Sequence, residues 1–130
     1  MINRKVFSVT IYDPGQDATV AILRVPDDHT YTIEKAYATV DRTTAAATAF
    51  FTEQLLNAAT SGTAATAITN AVGGSLGWVA NVPKEMTVVS GSGDLTAGQW
   101  LKVKHDETFA VTPGVVTVTI EYVDGIGSKA

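Results

Sequence analysis

The chain contains two histidines, and each stands among carboxylates: His29 follows Asp27 and Asp28, and His105 precedes Asp106 and Glu107. Imidazole and carboxylate together are the ingredients of metal sites and of general acid–base pairs. Neighbouring residues direct their side chains apart, so a metal site would need both clusters folded together. Asp and its polar neighbours are also turn formers, and the expected role of both clusters is a solvated turn. Asp13-Pro14-Gly15-Gln16-Asp17 lacks the spaced carboxylates of a calcium loop and reads as a turn too. Cys is 0, which removes thiol nucleophiles, zinc-thiolate sites and disulfides and leaves the redox compartment undetermined.

The other reactive residue types are as sparsely arranged. A catalytic Ser needs a His within reach and a third group to orient it, and Ser90-Gly91-Ser92-Gly93 does not fit the Gly-x-Ser-x-Gly elbow. Gly73-Gly74-Ser75-Leu76-Gly77 has no following Lys and no βαβ setting, so it does not read as a phosphate cradle. Glu34 and Glu121 would serve glycoside hydrolysis only at a suitable separation. Their place on mixed strand faces makes exposed charges the expected role. No catalytic residue, cofactor-binding residue or metal ligand is assigned; the expectation is a protein that is not an enzyme and uses no cofactor.

The tryptophans are the more informative large side chains. Trp100 is flanked by strand-forming residues and is expected in the core or on a sheet surface, given the area a Trp buries. Trp78 follows a glycine loop, where core and partner contact are both open, and Leu76, Trp78 and Val79 are the candidate partner-binding residues.

Composition narrows the partner class. The net charge is −4 with only 9 basic residues, which argues against a nucleic-acid surface. Charged residues make up 17% of the chain, against about 25% in an ordinary soluble domain. Thr, Ala, Gly and Val take their place, a composition suited to lying against neighbours in an assembly. No apolar run approaches the roughly 18 residues that span a bilayer, and Met1 to Lys5 lead into an alternating segment, with no secretory leader core. A soluble, unprocessed chain without a membrane or nucleic-acid partner is expected.

What must position these residues is a set of strands. Lys5 to Tyr12 alternates, with Phe7, Val9 and Ile11 against Ser8 and Thr10. Ala18 to Val25 is a second strand that stops at Pro26, followed by the turn Pro26 to Thr30. Tyr31 to Val40 alternates, with Tyr31, Ile33 and Tyr37 on one face. Thr43 to Ala59 fits either a helix or a strand; strand spacing on both sides favours strand, with Phe51, Glu53 and Leu55 opposing Phe50, Thr52, Gln54 and Leu56. Thr63 to Val72 reads as one short strand and Gly73 to Gly77 as a flexible loop. Lys84 to Val89 and Gln99 to Lys104 are strands, separated by a loop at Ser90 to Asp94 and a turn at Leu95 to Gly98, and a loop His105 to Pro113 leads to the last strand. In Val115 to Val123 the residues Val116, Val118, Ile120 and Tyr122 share one face, and Thr117, Thr119 and Glu121 lie on the other. At 130 residues this is one domain, with 1–4 and 126–130 as flexible termini and no internal repeat. The fold class expected is all-β: a single antiparallel β-sandwich, jelly-roll-like, of about eight strands.

Several segments resemble the small head-decoration and head-fibre proteins of tailed bacteriophages. They are Tyr31-Thr32-Ile33-Glu34-Lys35-Ala36-Tyr37-Ala38-Thr39-Val40, then Ala71-Val72-Gly73-Gly74, Gly77-Trp78 and Pro83-Lys84-Glu85-Met86-Thr87-Val88. Leu95-Thr96-Ala97-Gly98-Gln99-Trp100-Leu101 is similar to that family's turn into a strand, with Gln99 where an acidic residue is usual. Pro113 to Tyr122 is similar to its last strand. The resemblance runs from Val25 onward and is one of pattern. It implies a non-enzymatic β-sandwich virion protein that sits on the capsid shell and either cements it or displays an outward surface. The reading expected is a protein made in the host cytoplasm that binds the major capsid protein and cements the shell, with self-association as a trimer at a local three-fold position as a further expectation. The alternative it leaves open is a carbohydrate-binding or host-adhesion module of a head or tail fibre, stacking sugars on Trp78, Tyr31 or Tyr37.

Overall fold

Runs of β-branched and aromatic residues at alternate positions favour strands, and the computed structural model contains ten among its described residues, which are 4–12, 17–43, 50–59, 65–73, 77–108 and 114–125. They are β1 (Arg4–Tyr12), β2 (Ala18–Arg24), β3 (Tyr31–Val40), β4 (Phe50–Ala58), β5 (Ala65–Ala67), β6 (Val72–Gly73), β7 (Lys84–Glu85), β8 (Asp94–Leu95), β9 (Trp100–Thr108) and β10 (Val115–Asp124). One sheet, here sheet A, has the order β1-β10-β3-β7, with β8 also paired to β3. Sheet B has the order β2-β9-β4-β5, with β6 also paired to β4. With the short strands β6 and β8 set aside, the remaining strands renumbered 1 to 8 give the orders 1-8-3-6 and 2-7-4-5, the strand order of a jelly roll. The expected all-β sandwich is therefore the observed fold.

The long strands run the length of the sandwich. The end at which β1 and β3 finish, with Tyr12 and Val40, is called the upper end; the end holding Arg4, Tyr31 and Asp124 is the lower end. β10 lies between β1 and β3, and its inward residues Val116, Val118, Ile120 and Tyr122 are all buried, as its alternation requires. Facing them from sheet B are Phe51, Leu55, Leu101 and Val103. The fully buried aliphatics each contribute roughly 1.5–3 kcal/mol relative to exposure.

Several expected details differ. β1 begins at Arg4, which pairs with Val123, so that residue belongs to the sheet; residues 1–3 and 126–130 lie outside the described residues. In β3 the face expected to carry Tyr31, Ile33 and Tyr37 is broken by a bulge. Glu121 is opposite Lys35 and Tyr122 opposite Ile33, so Glu34 is an extra residue on β3. Glu34 and Lys35 both face outward, the parity switches, and Ala36, Ala38 and Val40 become the buried residues while Tyr37 turns out. The ambiguous middle segment is strand over Phe50–Ala58. The segment 63–72, expected as one strand, supplies two short ones, because Ile68 and Thr69 leave the ladder and turn into the interior. The expected strand Lys84–Val89 is reduced to β7: after it Met86 still donates to Ala36 O at 2.8 Å, but Val88 bridges to Thr69 next to sheet B. β9 runs on to Thr108, so His105 lies in a strand and not in the expected loop.

Candidate interaction surface

The outer face of sheet A is built by the residues that alternate with the core positions. Across β1, β10 and β3 the register sets Ser8 beside Thr119 beside Tyr37, and Thr10 beside Thr117 beside Thr39. The hydroxyls of Ser8 and Thr119 are 2.8 Å apart and those of Thr10 and Thr117 3.4 Å apart, so β1 and β10 are linked closely in the first row and loosely in the second. Val6 extends the patch and is 67% exposed. Charges lie around its lower border: Arg4 pairs with Glu34 at 2.8 Å, and Lys35 stands opposite Glu121. The result is a face whose central rows are uncharged and rich in β-branched side chains, with Glu85 of β7 exposed at its edge beside Tyr37.

At the upper end a turn follows Trp78. Val82 N–H donates to Val79 O at 3.1 Å, Asn81 N–H donates to Val40 O at 2.7 Å, and Ala80 N–H donates to the Thr43 hydroxyl at 3.0 Å. Asn81 has φ 62, a left-handed position that Asn tolerates. These bonds fix the turn to the end of β3 and leave Val79 and Val82 as an apolar tip, 57% and 50% exposed.

The three candidate partner residues thus have different places. Val79 is on the surface. Trp78 is inside, 1% exposed, with its ring stacked on Phe51 (5.2 Å between centroids, 6° between planes) and its indole N–H donating to Phe51 O at 3.2 Å. It is a core residue, out of reach of a sugar or partner. Leu76 lies outside the described residues. Tyr31 is buried against Tyr122, with centroids 4.6 Å apart, and Tyr37 alone of the three aromatics considered for stacking remains on an outer face.

The two histidine clusters differ: Asp27 and Asp28 lie in an exposed turn, as expected, from which the half-buried His29 reaches a buried carboxylate, whereas His105 is internal. At the lower end His29 Nδ1 lies 2.8 Å from Asp124 Oδ1, and Lys5 Nζ donates to Asp124 Oδ2 at 3.1 Å. Asp124 is almost fully buried; burial pushes its carboxyl up, but the hydrogen bonds and charges of His29 and Lys5 outweigh that and hold it below the ordinary carboxylate value. In sheet B, toward the upper end, Glu53 on β4 stands directly across from His105 on β9. His105 Nδ1 contacts Glu53 Oε2, and His105 Nε2 lies 2.8 Å from Glu107 Oε2, with all three side chains at most 4% exposed. The expectation of a solvated turn at His105 therefore fails: the imidazole is in the interior. The clusters belong to opposite ends of the sandwich, and no group of three or more His, Cys, Asp or Glu among the described residues is placed to hold a metal. Glu34 and Glu121 lie on the outer face of sheet A, Glu34 engaged by Arg4.

Sequence reasoning placed Glu53 on the same face as Phe51 and Leu55 but did not find its partner. That parity was the available clue, since a carboxylate on an apolar face needs a partner from another strand. No helix among the described residues is long and apolar enough to cross a membrane.

No family model matches the sequence, and no curated protein matches it. Among solved structures, the chain is similar to one from the structure of the infectious bursal disease virus Gx strain, at 10% identity and a TM-score of 0.38; the alignment covers 93% of this chain and spans 38% of the viral one.

Proposed function

We propose that the protein is a structural virion protein, a capsid decoration protein that binds the outside of the major capsid shell and stabilises it. The observation that carries this reading is the uncharged hydroxyl face of sheet A around Ser8, Thr10, Thr117 and Thr119, with Val6 exposed on it. Burying charge against a partner costs several kcal/mol per ion unless each finds a counter-ion. Hydroxyls that already bond one another, on side chains with restricted χ1, avoid most of that desolvation and ordering cost. The low charge density of the whole chain and the resemblance to phage head-decoration proteins support the same reading. Bound only to the assembled shell, the protein stabilises it by mass action. It carries out no catalysis and needs no cofactor; its partner is the major capsid protein, and a trimer fits a local three-fold position on a shell.

Co-sedimentation with purified empty capsids is the direct test. The wild-type protein is expected to pellet with them at micromolar concentration, and Thr119→Asp, which puts a charge in the centre of the face, is expected to stay in the supernatant while remaining folded. Failure of the wild-type protein to bind overturns the reading. The adhesion reading has lost Trp78 and Tyr31 to the core and would rest on Tyr37; a glycan array signal abolished by Tyr37→Ala would favour it.

A further inference from the structure

The Glu53–His105–Glu107 cluster plays no part in surface binding, yet three ionisable side chains are enclosed there between apolar neighbours. His105 sits between two carboxylates, one on each ring nitrogen. Each of those contacts joins two atoms that bear lone pairs, so each needs a proton. A neutral imidazole carries one N–H. The second proton must come from a doubly protonated ring or from a protonated Glu53 or Glu107, and in each case the cluster holds one titratable proton. Without it one contact becomes an enclosed repulsion between lone pairs.

We propose that Glu53, His105 and Glu107 form a proton-dependent clasp that holds the upper parts of β4 and β9 together, closed while the cluster retains that proton and opened by its loss as pH rises. Phe51 is the element on which the clasp bears: its ring lies 5.2 Å from His105 on one side and stacks on Trp78 at 5.2 Å on the other. Trp78 in turn begins the segment that forms the Val79–Val82 tip. The other charged groups around the cluster are Asp106, which faces Glu53 electrostatically and is itself paired with Lys104 at 3.3 Å, and Asp17 ahead of β2, whose Oδ1 accepts from the Glu107 backbone N–H at 2.8 Å. From beyond the Phe51–Trp78 stack, Lys84 Nζ approaches the Trp78 ring at 5.7 Å. Burial pushes the Glu53 carboxyl up more strongly than His105 pulls it down. Burial pushes the His105 imidazole down, but its contacts with Glu53 and Glu107 more than reverse this. Both directions hold the proton longer than the free groups would.

The unfolded chain loses the corresponding proton at the ordinary imidazole value of 6.5. Above that pH the folded state binds more protons than the unfolded one, so stability falls as pH rises until the folded cluster also deprotonates. The test is urea unfolding of the wild-type protein and of Glu53→Gln from pH 6 to 10. Gln donates an amide N–H to a neutral His105 Nδ1 and closes the same contact without a titratable proton. The wild-type folding constant is expected to fall by up to about tenfold per pH unit above 6.5, and Glu53→Gln, which leaves the Glu107 contact in place, is expected to reduce that slope. An equal slope in both proteins, or none in the wild type, overturns the proposal. Should Glu53→Gln not fold, imidazole ¹⁵N and carboxyl ¹³C shifts of the folded wild type at pH 7.5 decide the matter. A doubly protonated His105, or a protonated Glu53 or Glu107, supports the clasp; a neutral ring between two ionised carboxylates sinks it.

Discussion

Gly73 shows what a glycine beside a tryptophan is for. A Cβ at this position would lie 2.4 Å from Trp78 Nε1 and 2.7 Å from Phe51 O, and the backbone has φ +99. The residue leaves room for the indole to reach the carbonyl it bonds, and its conformation is one that L side chains rarely adopt. In the sequence the same glycine reads only as part of a loop, because a close approach between residues 51, 73 and 78 is a tertiary fact. Gly73→Ala is expected to destabilise the domain by about 1–3 kcal/mol through overpacking and backbone strain. Trp78→Ala should cost more, about 3–5 kcal/mol, by leaving a cavity against Phe51. Urea midpoints read both, and a neutral effect of Trp78→Ala would contradict its place in the core.

Along β10 the two faces make opposite demands, and a pair of adjacent substitutions separates them. Ile120 is buried and lies opposite Phe7 on one side and Ala36 on the other, so Ile120→Asp places an unpaired carboxylate in the core and is expected to unfold the domain. Thr119→Asp lies on the outer face, and its circular dichroism and melting temperature should stay close to wild type; a collapse of the fold would show that this face is internal to the protein. This alternation was legible in the sequence because every second residue of an unbroken strand obeys it. The parity of β3 was legible only as far as Ile33, since nothing local to Glu34 announces that β10 will skip it. β4 was ambiguous for a related reason: helical and strand spacing both fit, and pairing with β9 over its whole length selected the strand. The buried carboxylate of Glu53 and the imidazole of His105 are 52 residues apart in the chain, and each looks like an ordinary polar residue until the register brings them together.

Across the whole molecule the two internal ion clusters should respond to pH in opposite directions. The lower cluster joins β1 through Lys5, the β2–β3 turn through His29 and the last residue of β10, Asp124, so it closes the end of the sandwich opposite the Glu53 clasp. The Asp124 carboxyl is held below its ordinary value of 3.8. Its contribution is therefore complete above that value, where both folded and unfolded chains carry the carboxylate. As pH falls below 3.8 the unfolded chain takes up a proton first, and the stabilisation is lost progressively through the lower, folded value. Asp124→Asn cannot titrate, so its stability should fall less steeply over that acid range than the wild type's, although it starts from a lower level at neutral pH with Lys5 and His29 facing a neutral amide. Unfolding midpoints between pH 2 and 5 measure this difference, and parallel curves for the two proteins would show that Asp124 does not set the acid limb. The upper clasp does not share this limb, since its titratable proton is lost on the alkaline side. Changing Glu53 should accordingly leave Asp124's acid contribution unaltered, because the groups stand at opposite ends of the sandwich with its apolar core between them.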